Sequence, residues 1–227
     1  MEHSSSPDIK LISFDCYGTL IDWKKGILNT LVPLFEEYLL DISGDEIFSL
    51  FKTFDAEFVH SDFISYRNLL MEIMKRFSSA LNINLMKSDF DCLVNSLPIW
   101  EPFSDTIENL RMLKRRFKLA LITNSDNDLV EKTIALLGVQ FDFVITSADV
   151  GSYKPSLNNF LTSLETFNLN ANQIVHVSGS LYHDIAPCNE LGIRNIWINR
   201  YKDESSLDEI EKPGYEIKSL KELLTIL

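Results

Sequence analysis

Four short segments contain the polar side chains with which this chain could carry out catalysis. Asp15 follows the apolar run "LISF", and Thr123 ends the run "FKLALIT". Lys154 lies in "GSYKP", and the segment 180–184 follows "QIVHVS". Alone, each is as often a helix cap or a surface charge as a catalyst. Together they suit covalent catalysis by aspartate, because a lysine keeps the carboxylate ionised and hydroxyl or amide donors hold an anionic substrate.

The elements that must position these residues are predicted from the apolar patterns. Buried strands are predicted for the runs 11–14, 117–123, 141–146, 173–178 and 193–199. Helical patterns separate them, such as "NDLVEKTIALLG", which ends at Gly138, and "YEIKSLKELLTIL" predicts a last short strand and a closing helix. This alternation indicates an α/β fold with a doubly wound, mainly parallel sheet. Ligands bind beyond the carboxyl ends of such strands, so the polar segments are expected to converge on one crevice.

A helical insertion is predicted between the first two strands. Apolar residues at three-and-four spacing in "KKGILNTLVPLFEEYLL", "GDEIFSLFKTFDAEFV" and "SYRNLLMEIMKRFSSALN" predict three amphipathic helices, with Ser65 as the N-cap of the third. A fourth helix is predicted in "SDFDCLVNSLPIW" before Pro98. We therefore predict a core domain of residues 1–20 and 101–227 and a helical cap domain of residues 21–100.

The composition argues against several classes of partner. The formal net charge of -12 argues against nucleic-acid binding, which needs a basic face. No apolar run approaches the roughly 20 residues that span a bilayer, and "MEHSSSPD" lacks the basic start and apolar core of a signal peptide. Cys16, Cys92 and Cys188 are an odd number in no metal-binding spacing. We expect a cytoplasmic protein with no nucleic-acid and no membrane partner.

The four segments also occur in the order of a known set of motifs. "DCYGTL", "ITNSD", "DVGSYKP" and "SLYHD" resemble the four motifs of the haloacid dehalogenase-like hydrolase superfamily, and the resemblance covers nearly the whole chain. It implies a Rossmann-like core sheet with an inserted helical cap, in agreement with the patterns above.

The resemblance also implies roles for single residues. Asp15 would be the nucleophile, Thr19 would orient its carboxylate, and Thr123 would supply the hydroxyl of the second motif. Lys154 would balance the charge of Asp15, and Asp184 would position Lys154 or the hydrolytic water.

Two departures from the superfamily pattern bear on the cofactor. Most members are magnesium-dependent phosphatases with an aspartate two residues after the nucleophile, where this chain has Tyr17, and with Gly-Asp-Ser in the fourth motif, where it has Gly179 in place of the aspartate. A phenol of reference pKa about 10 suits poorly the proton transfers of the first aspartate. Magnesium prefers six oxygen ligands and needs carboxylates to hold it. We therefore predict no cofactor, with magnesium required only under a phosphatase alternative.

With these departures, the chain resembles the metal-independent branch that contains L-2-haloacid dehalogenases and L-azetidine-2-carboxylate hydrolase. The resemblance implies that Asp15 attacks C2 of a small anionic 2-halo- or 2-substituted carboxylate, and that water then hydrolyses the aspartyl ester to release a 2-hydroxy acid. Two alternatives stay open: a magnesium-dependent phosphatase acting on a small phosphate ester, and a catalytically silent binding protein of the same fold.

Further residues are candidates for binding the substrate. Asn124 and Ser180 belong to the motifs, and Tyr17 and Trp23 would supply an aromatic wall suited to a small apolar substituent. Trp23 would equally suit packing between core and cap.

The dehalogenases use a cap arginine to hold the halide. Here the corresponding stretch "FSLFKTFDAEF" offers only Lys52, which cannot reproduce a guanidinium fork, and Arg67 in "SYRNLL" is the other candidate. This difference puts halide as the leaving group in question.

Relatives commonly dimerise through cap helices, and the apolar helix faces would permit a homodimer.

Overall fold

The fold is known from a computed structural model that describes residues 8–59, 62–202 and 212–227. Its strands are β1 (Leu11–Phe14), β2 (Lys118–Thr123), β3 (Phe143–Thr146), β4 (Ile174–Ser178), β5 (Arg194–Ile198) and β6 (Tyr215–Ile217). They form one sheet in the order β3-β2-β1-β4-β5-β6, and every neighbouring pair is parallel. The predicted α/β fold with a parallel, doubly wound sheet is confirmed, and so is the last short strand.

Strand β1 lies at the centre of the sheet. Phe14 pairs in register with Leu121 of β2 on one side and with Val177 of β4 on the other, and all four residues of β1 are buried. A strand covered on both faces needs a continuous apolar run, which "LISF" supplies with one exception, Ser13. Because all three strands run in the same direction, they bring Asp15, Thr123 and the residues after β4 to one edge of the sheet.

Within residues 21–100, the described chain forms four α-helices. They are α1 (Trp23–Glu37), α2 (Gly44–Val59), α3 (Tyr66–Ala80) and α4 (Cys92–Ser96). The Ser65 hydroxyl accepts from the backbone N–H of Asn68, so the predicted N-cap of α3 is confirmed. The fourth helix is shorter than its apolar pattern indicates and passes into a 3-10 turn at Leu97–Ile99, which contains Pro98. Residues 21–100 are called the cap below, and the division into two domains stays a prediction.

The remaining helices pack on the two faces of the sheet. They are α5 (Thr106–Lys114), α6 (Asn127–Leu137), α7 (Ser147–Val150), α8 (Leu157–Phe167), α9 (Ala186–Glu190) and α10 (Leu220–Ile226). Helix α6 ends before Gly138, as predicted. One turn of π-helix, Leu181–Ile185, precedes α9, and such turns are frequent at functional sites. Within the described ranges, no helix combines the length and apolarity that crossing a bilayer requires.

The cap is joined to the rest of the chain by backbone and side-chain contacts. The two segments that connect them run side by side, with Asp22 N donating to Glu101 O at 2.9 Å. Elsewhere, the carboxylate of Asp126 accepts from the backbone N–H groups of Tyr66 and Arg67, each at 2.9 Å. A carboxylate at a helix N-terminus stabilises it through the orphan N–H groups and the helix dipole. The residue that follows β2 by three positions thus caps a helix of the insertion.

Candidate active site

Asp15 lies directly after β1, and both of its carboxylate oxygens are engaged. Thr19 donates its hydroxyl to Oδ2 at 2.6 Å, and Lys154 Nζ donates to Oδ1 at 2.8 Å. The backbone N–H of Asp15 donates to the carbonyl of Val177 at 3.1 Å. The residue is 8% exposed. The carboxylate is therefore held in one orientation beside a cation, which is the arrangement that a nucleophilic aspartate requires.

Lys154 joins Asp15 to a second carboxylate, that of Asp184. Besides Asp15, its ammonium donates to Asp184 Oδ1 at 2.7 Å and to the carbonyl oxygen of Ile122 at 2.8 Å, and Lys154 and Asp184 are both buried. Burial lowers the pKa of Lys154, but the two carboxylates outweigh it and the pKa is raised. Burial raises the pKa of Asp184, but Lys154 and His176 outweigh it and the pKa falls below its usual range. Lys154 and Asp184 are therefore held in their charged forms.

Further buried side chains that the sequence analysis did not assign to the site hold Asp184. His176 Nε2 lies 2.9 Å from Asp184 Oδ1, and its Nδ1 lies 2.9 Å from Ser13 Oγ. Ser178 donates its hydroxyl to Asp184 Oδ2 at 2.8 Å. Ser13 and His176 are register partners on β1 and β4. The sequence signal was present: each is a polar residue inside an otherwise apolar strand, where burial demands a partner.

The loop after β1 contacts the loop after β4 through Thr19 and two glycines. The Thr19 hydroxyl accepts from Gly179 N at 2.8 Å while it donates to Asp15. Gly18 has a φ of 93°, which favours glycine. A Cβ atom at Gly179 would lie 2.6 Å from the carbonyl oxygen of Gly18. The two backbones therefore approach too closely for any side chain at position 179.

These residues do not fit a magnesium site of the phosphatase kind. The position of the usual metal-binding aspartate, Gly179, has no room for a carboxylate. The position of the usual second acid holds Tyr17, whose hydroxyl lies 2.9 Å from Thr133 Oγ1 and whose pKa burial raises well above its usual value. Both oxygens of Asp184 already have protein partners. Among the described residues, no group of three His, Cys, Asp or Glu side chains could hold a metal ion.

A cavity of about 700 Å³ opens beside Asp15 and is walled by residues of the sheet edge and of the cap. Its lining includes most of the predicted site residues, namely Asp15, Tyr17, Trp23, Lys52, Thr123, Asn124, Lys154, Ser180 and Asp184. Thr19 lies behind Asp15 and is fully buried. The structure thus brings these residues together from segments more than 160 positions apart in the chain.

The aromatic candidates line the cavity and also pack. The Tyr17 ring meets Trp100 edge to face, with ring centres 6.0 Å apart. Trp23 meets Phe48 and Phe51 of α2 edge to face at 5.2 and 5.7 Å. Trp23 therefore lines the cavity, packs against α2 of the cap and lies beside Gly18 of the loop after β1.

The polar candidates differ in how far protein contacts already occupy them. The hydroxyl of Thr123 is buried and has no hydrogen-bond partner among the described residues. The amide of Asn124 accepts from the backbone N–H of Lys154 at 2.7 Å and donates to its carbonyl at 3.1 Å, which fixes the backbone that carries the ammonium. Ser180 Oγ accepts from the backbone N–H of His183 at 3.0 Å. Thr123 is thus the candidate with an unused hydrogen-bonding group.

The two cap cations lie in different places. Lys52 lines the cavity, and its Nζ lies 5.4 Å from the centre of the Phe48 ring. Arg67 is not among the residues that line the cavity, and its guanidinium pairs with Asp128 at 2.5 Å. The structure therefore does not bring Arg67 to the site. The cavity wall contains instead a cap carboxylate, Asp55, that the sequence analysis did not single out, because a helical pattern does not reveal which face of α2 covers the nucleophile.

Comparisons with known proteins agree with this geometry. A family model described as haloacid dehalogenase-like hydrolase matches residues 12–198. An (S)-2-haloacid dehalogenase of Pseudomonas sp. (strain YL) is 24% identical over 227 residues, which cover 96% of this chain and 94% of that protein. A glyceraldehyde 3-phosphate phosphatase of Methanocaldococcus jannaschii is 35% identical over 131 residues, 56% of each chain.

Among solved structures, the L-2-haloacid dehalogenase from Xanthobacter autotrophicus with chloropropionic acid covalently bound is similar. It superposes with a TM-score of 0.82 at 17% identity, over 96% of this chain and 98% of that one. At this identity the likeness shows the fold alone. The sequence relatives include both a dehalogenase and a phosphatase, so the reaction must be argued from the site.

Proposed function

The chain belongs to the haloacid dehalogenase-like hydrolase family, and we propose that it is a metal-independent hydrolase of small 2-halo- or 2-substituted carboxylic acids. The observation that carries the proposal is the pairing of a well-held nucleophile with a site unsuited to magnesium. Asp15 is oriented by Thr19 and Lys154, while the approach of Gly179 to Gly18 leaves no room for the metal-binding carboxylate. Displacement at a saturated carbon needs an oriented nucleophile and does not need a metal-binding carboxylate.

In the first step, a carboxylate oxygen of Asp15 attacks C2 of the substrate. The new O–C2 bond forms as the bond from C2 to the substituent breaks, and the substituent leaves with the electron pair. Lys154 donates to Oδ1 of Asp15 and places a positive charge beside the attacking carboxylate. The free hydroxyl of Thr123 and the cation of Lys52 line the cavity and are our candidates for holding the substrate carboxylate.

In the second step, water attacks the carboxyl carbon of the Asp15 ester. The C–O bond to the product breaks, the 2-hydroxy acid takes up a proton, and Asp15 is restored with one oxygen from water. Asp184 accepts a hydrogen bond from Lys154 and contacts His176 on the same oxygen. Together, Asp184 and His176 hold the Lys154 ammonium beside Asp15 in both steps. We assign them positioning roles.

The phosphatase alternative is favoured by the phosphatases and pyrophosphatases among the sequence relatives, including the one from Methanocaldococcus jannaschii. It would require the magnesium site that Tyr17 and Gly179 do not supply. A silent binding protein is the other alternative, and the intact set of Asp15, Lys154 and Asp184 argues against it. A homodimer and a cytoplasmic location stay predictions.

The test is product release by metal-stripped protein across a panel of small 2-substituted carboxylates. The panel contains both enantiomers of 2-chloropropionate, azetidine-2-carboxylate and p-nitrophenyl phosphate, each with chelator and with magnesium. We expect turnover of a carboxylate in chelator that Asp15→Asn abolishes. Phosphate release only with magnesium would establish the phosphatase instead, and activity unchanged in Asp15→Asn would remove Asp15 as the nucleophile.

A further inference from the structure

Asp55 is a carboxylate of the cavity wall that lacks a partner among the described residues. It lies on α2, it is only partly exposed, and it lines the same cavity as Asp15. No residue in the described ranges gives it a hydrogen bond or an ion pair. Burial alone raises its pKa to about 7. A carboxylate kept in such a setting at a cost to stability calls for a partner, and protein cations do not supply one.

Four lysines of the described chain line the cavity, Lys24, Lys52, Lys154 and Lys202, and none of them is a partner of Asp55. Lys24 pairs with Asp45 at 3.0 Å, and Lys52 Nζ lies over the Phe48 ring. Lys154 is shared between two buried carboxylates. None of them contributes to the pKa of Asp55. A counter-ion for Asp55 is therefore expected to come from what fills the cavity.

The surroundings of Asp55 link it to the nucleophile. Burial raises the pKa of Tyr66, and the charges of Asp55 and, less strongly, of Asp15 raise it further, so both carboxylates act on the same phenol. Asp55 likewise adds to the raised pKa of Tyr153, the residue before Lys154. Tyr66, Tyr153 and Asp55 line the same cavity, and a wall that combines aromatic rings with a carboxylate suits a cation.

A substrate with a carboxylate only would fit this wall poorly. It would add a negative charge to a cavity that already holds Asp55 without a cation, and like charges in a partly dry site repel. A substrate that also carries an ammonium group would neutralise Asp55 and keep its own carboxylate for Thr123 and the sheet edge. A charge-assisted hydrogen bond of this kind is among the strongest in proteins.

We propose that Asp55 is a specificity-determining residue that accepts a hydrogen bond from a positively charged nitrogen of the substrate, so that the preferred 2-substituted carboxylic acid is a zwitterion. The inference rests on the proposed function and names a narrower substrate class for the same site. It assigns Asp55 no part in breaking or forming bonds.

The experiment measures binding in an Asp15→Asn background, in which the ligands do not react. Three probes are compared by calorimetry at about pH 8, where most Asp55 side chains are ionised. They are (S)-lactate, (S)-3-amino-2-hydroxypropanoate, which adds an ammonium, and 1-amino-2-propanol, which has the ammonium and no carboxylate. We expect the amino acid probe to bind at least about tenfold more tightly than lactate. Asp55→Asn should abolish this preference and improve the binding of lactate.

The matched control is Asp45→Asn, which removes another cavity carboxylate on α2, one that already pairs with Lys24. It should leave the preference unchanged, and Asp55→Ala should repeat the effect of Asp55→Asn. A preference that survives in both Asp55 variants overturns the inference and leaves the proposed function intact. Binding of 1-amino-2-propanol alone, lost in Asp55→Asn, supports the cation contact and contradicts the carboxylate site. If no probe binds, both proposals fail.

Discussion

Asp184 and Asp55 are the same residue type on the walls of one cavity, in opposite electrostatic settings. Asp184 is fully buried, yet Lys154, His176 and Ser178 contact its two oxygens, and Lys154 and His176 lower its pKa. Asp55 is less buried, has no partner in the described chain, and its pKa rises to about 7. Partners rather than depth therefore decide the charge state of a buried acid. Asp184 has its partners within the chain, whereas Asp55 has none among the described residues.

The largest effect is expected at Lys154, because two carboxylates depend on it. Lys154→Met leaves Asp15 and Asp184 buried without their cation, and we expect a loss of about 3–5 kcal/mol in the free energy of unfolding together with all turnover. Urea denaturation measures the first quantity. The control is Lys25→Met, which breaks the exposed pair with Glu101 and should leave the free energy of unfolding nearly unchanged. Equal losses of unfolding free energy in the two variants would show that the buried ion pairs of Lys154 contribute no more to stability than an exposed salt bridge.

His176 tests whether the completeness of the sheet edge matters for catalysis. His176→Phe removes one partner of Asp184 and leaves Ser13 unpaired, which we expect to cost about 2 kcal/mol of stability. Because His176 acts through Asp184 and Lys154, kcat should fall about tenfold or more with KM unchanged. His176→Gln, which can still hydrogen-bond, should recover part of kcat. A change in KM alone would argue against a positioning role.

The pH dependence of stability tests the electrostatic setting of Asp55. The pKa of Asp55 is about 7 in the fold and its ordinary value is 3.8, so the folded state binds more protons between these values. Its contribution therefore makes the protein less stable as pH rises from about 4 to about 7. Asp55→Asn should match the wild type near pH 4 and be about 1–2 kcal/mol more stable near pH 8, measured by thermal or urea unfolding without ligand. Identical curves for wild type and variant would mean that Asp55 is not desolvated.

The smallest effect is expected at Asp126, which connects the core to helix α3 of the cap. Asp126→Ala removes the carboxylate that caps α3, and we expect a loss of about 1 kcal/mol and faster hydrogen exchange at the start of that helix. Asp128→Asn, which breaks only the exposed pair with Arg67, serves as the control and should change little. Exchange that is unchanged by Asp126→Ala would show that the cap is held by apolar packing alone.

The sequence predicted much of the sheet edge because strand alternation and parallel pairing are local rules. Asp15, Thr123 and the segment after β4 follow apolar runs, and the fold brings those strand ends together. The contacts of His176 could not be predicted without the strand order, since only the pairing of β1 with β4 puts Ser13 next to it. The cap wall was harder to predict, because Asp55 and Arg67 both lie on helices whose orientation over the core depends on tertiary packing.

The most direct test of the central claim is a single turnover in ¹⁸O-labelled water with enzyme in excess, using whichever panel acid the metal-stripped protein converts. Attack by Asp15 and hydrolysis at its carboxyl carbon predict that the first product carries unlabelled oxygen at C2, and that the peptide containing Asp15 gains the label. Labelled oxygen at C2 in the first product, with an unlabelled peptide, would mean that water attacks the substrate directly, and would contradict the account.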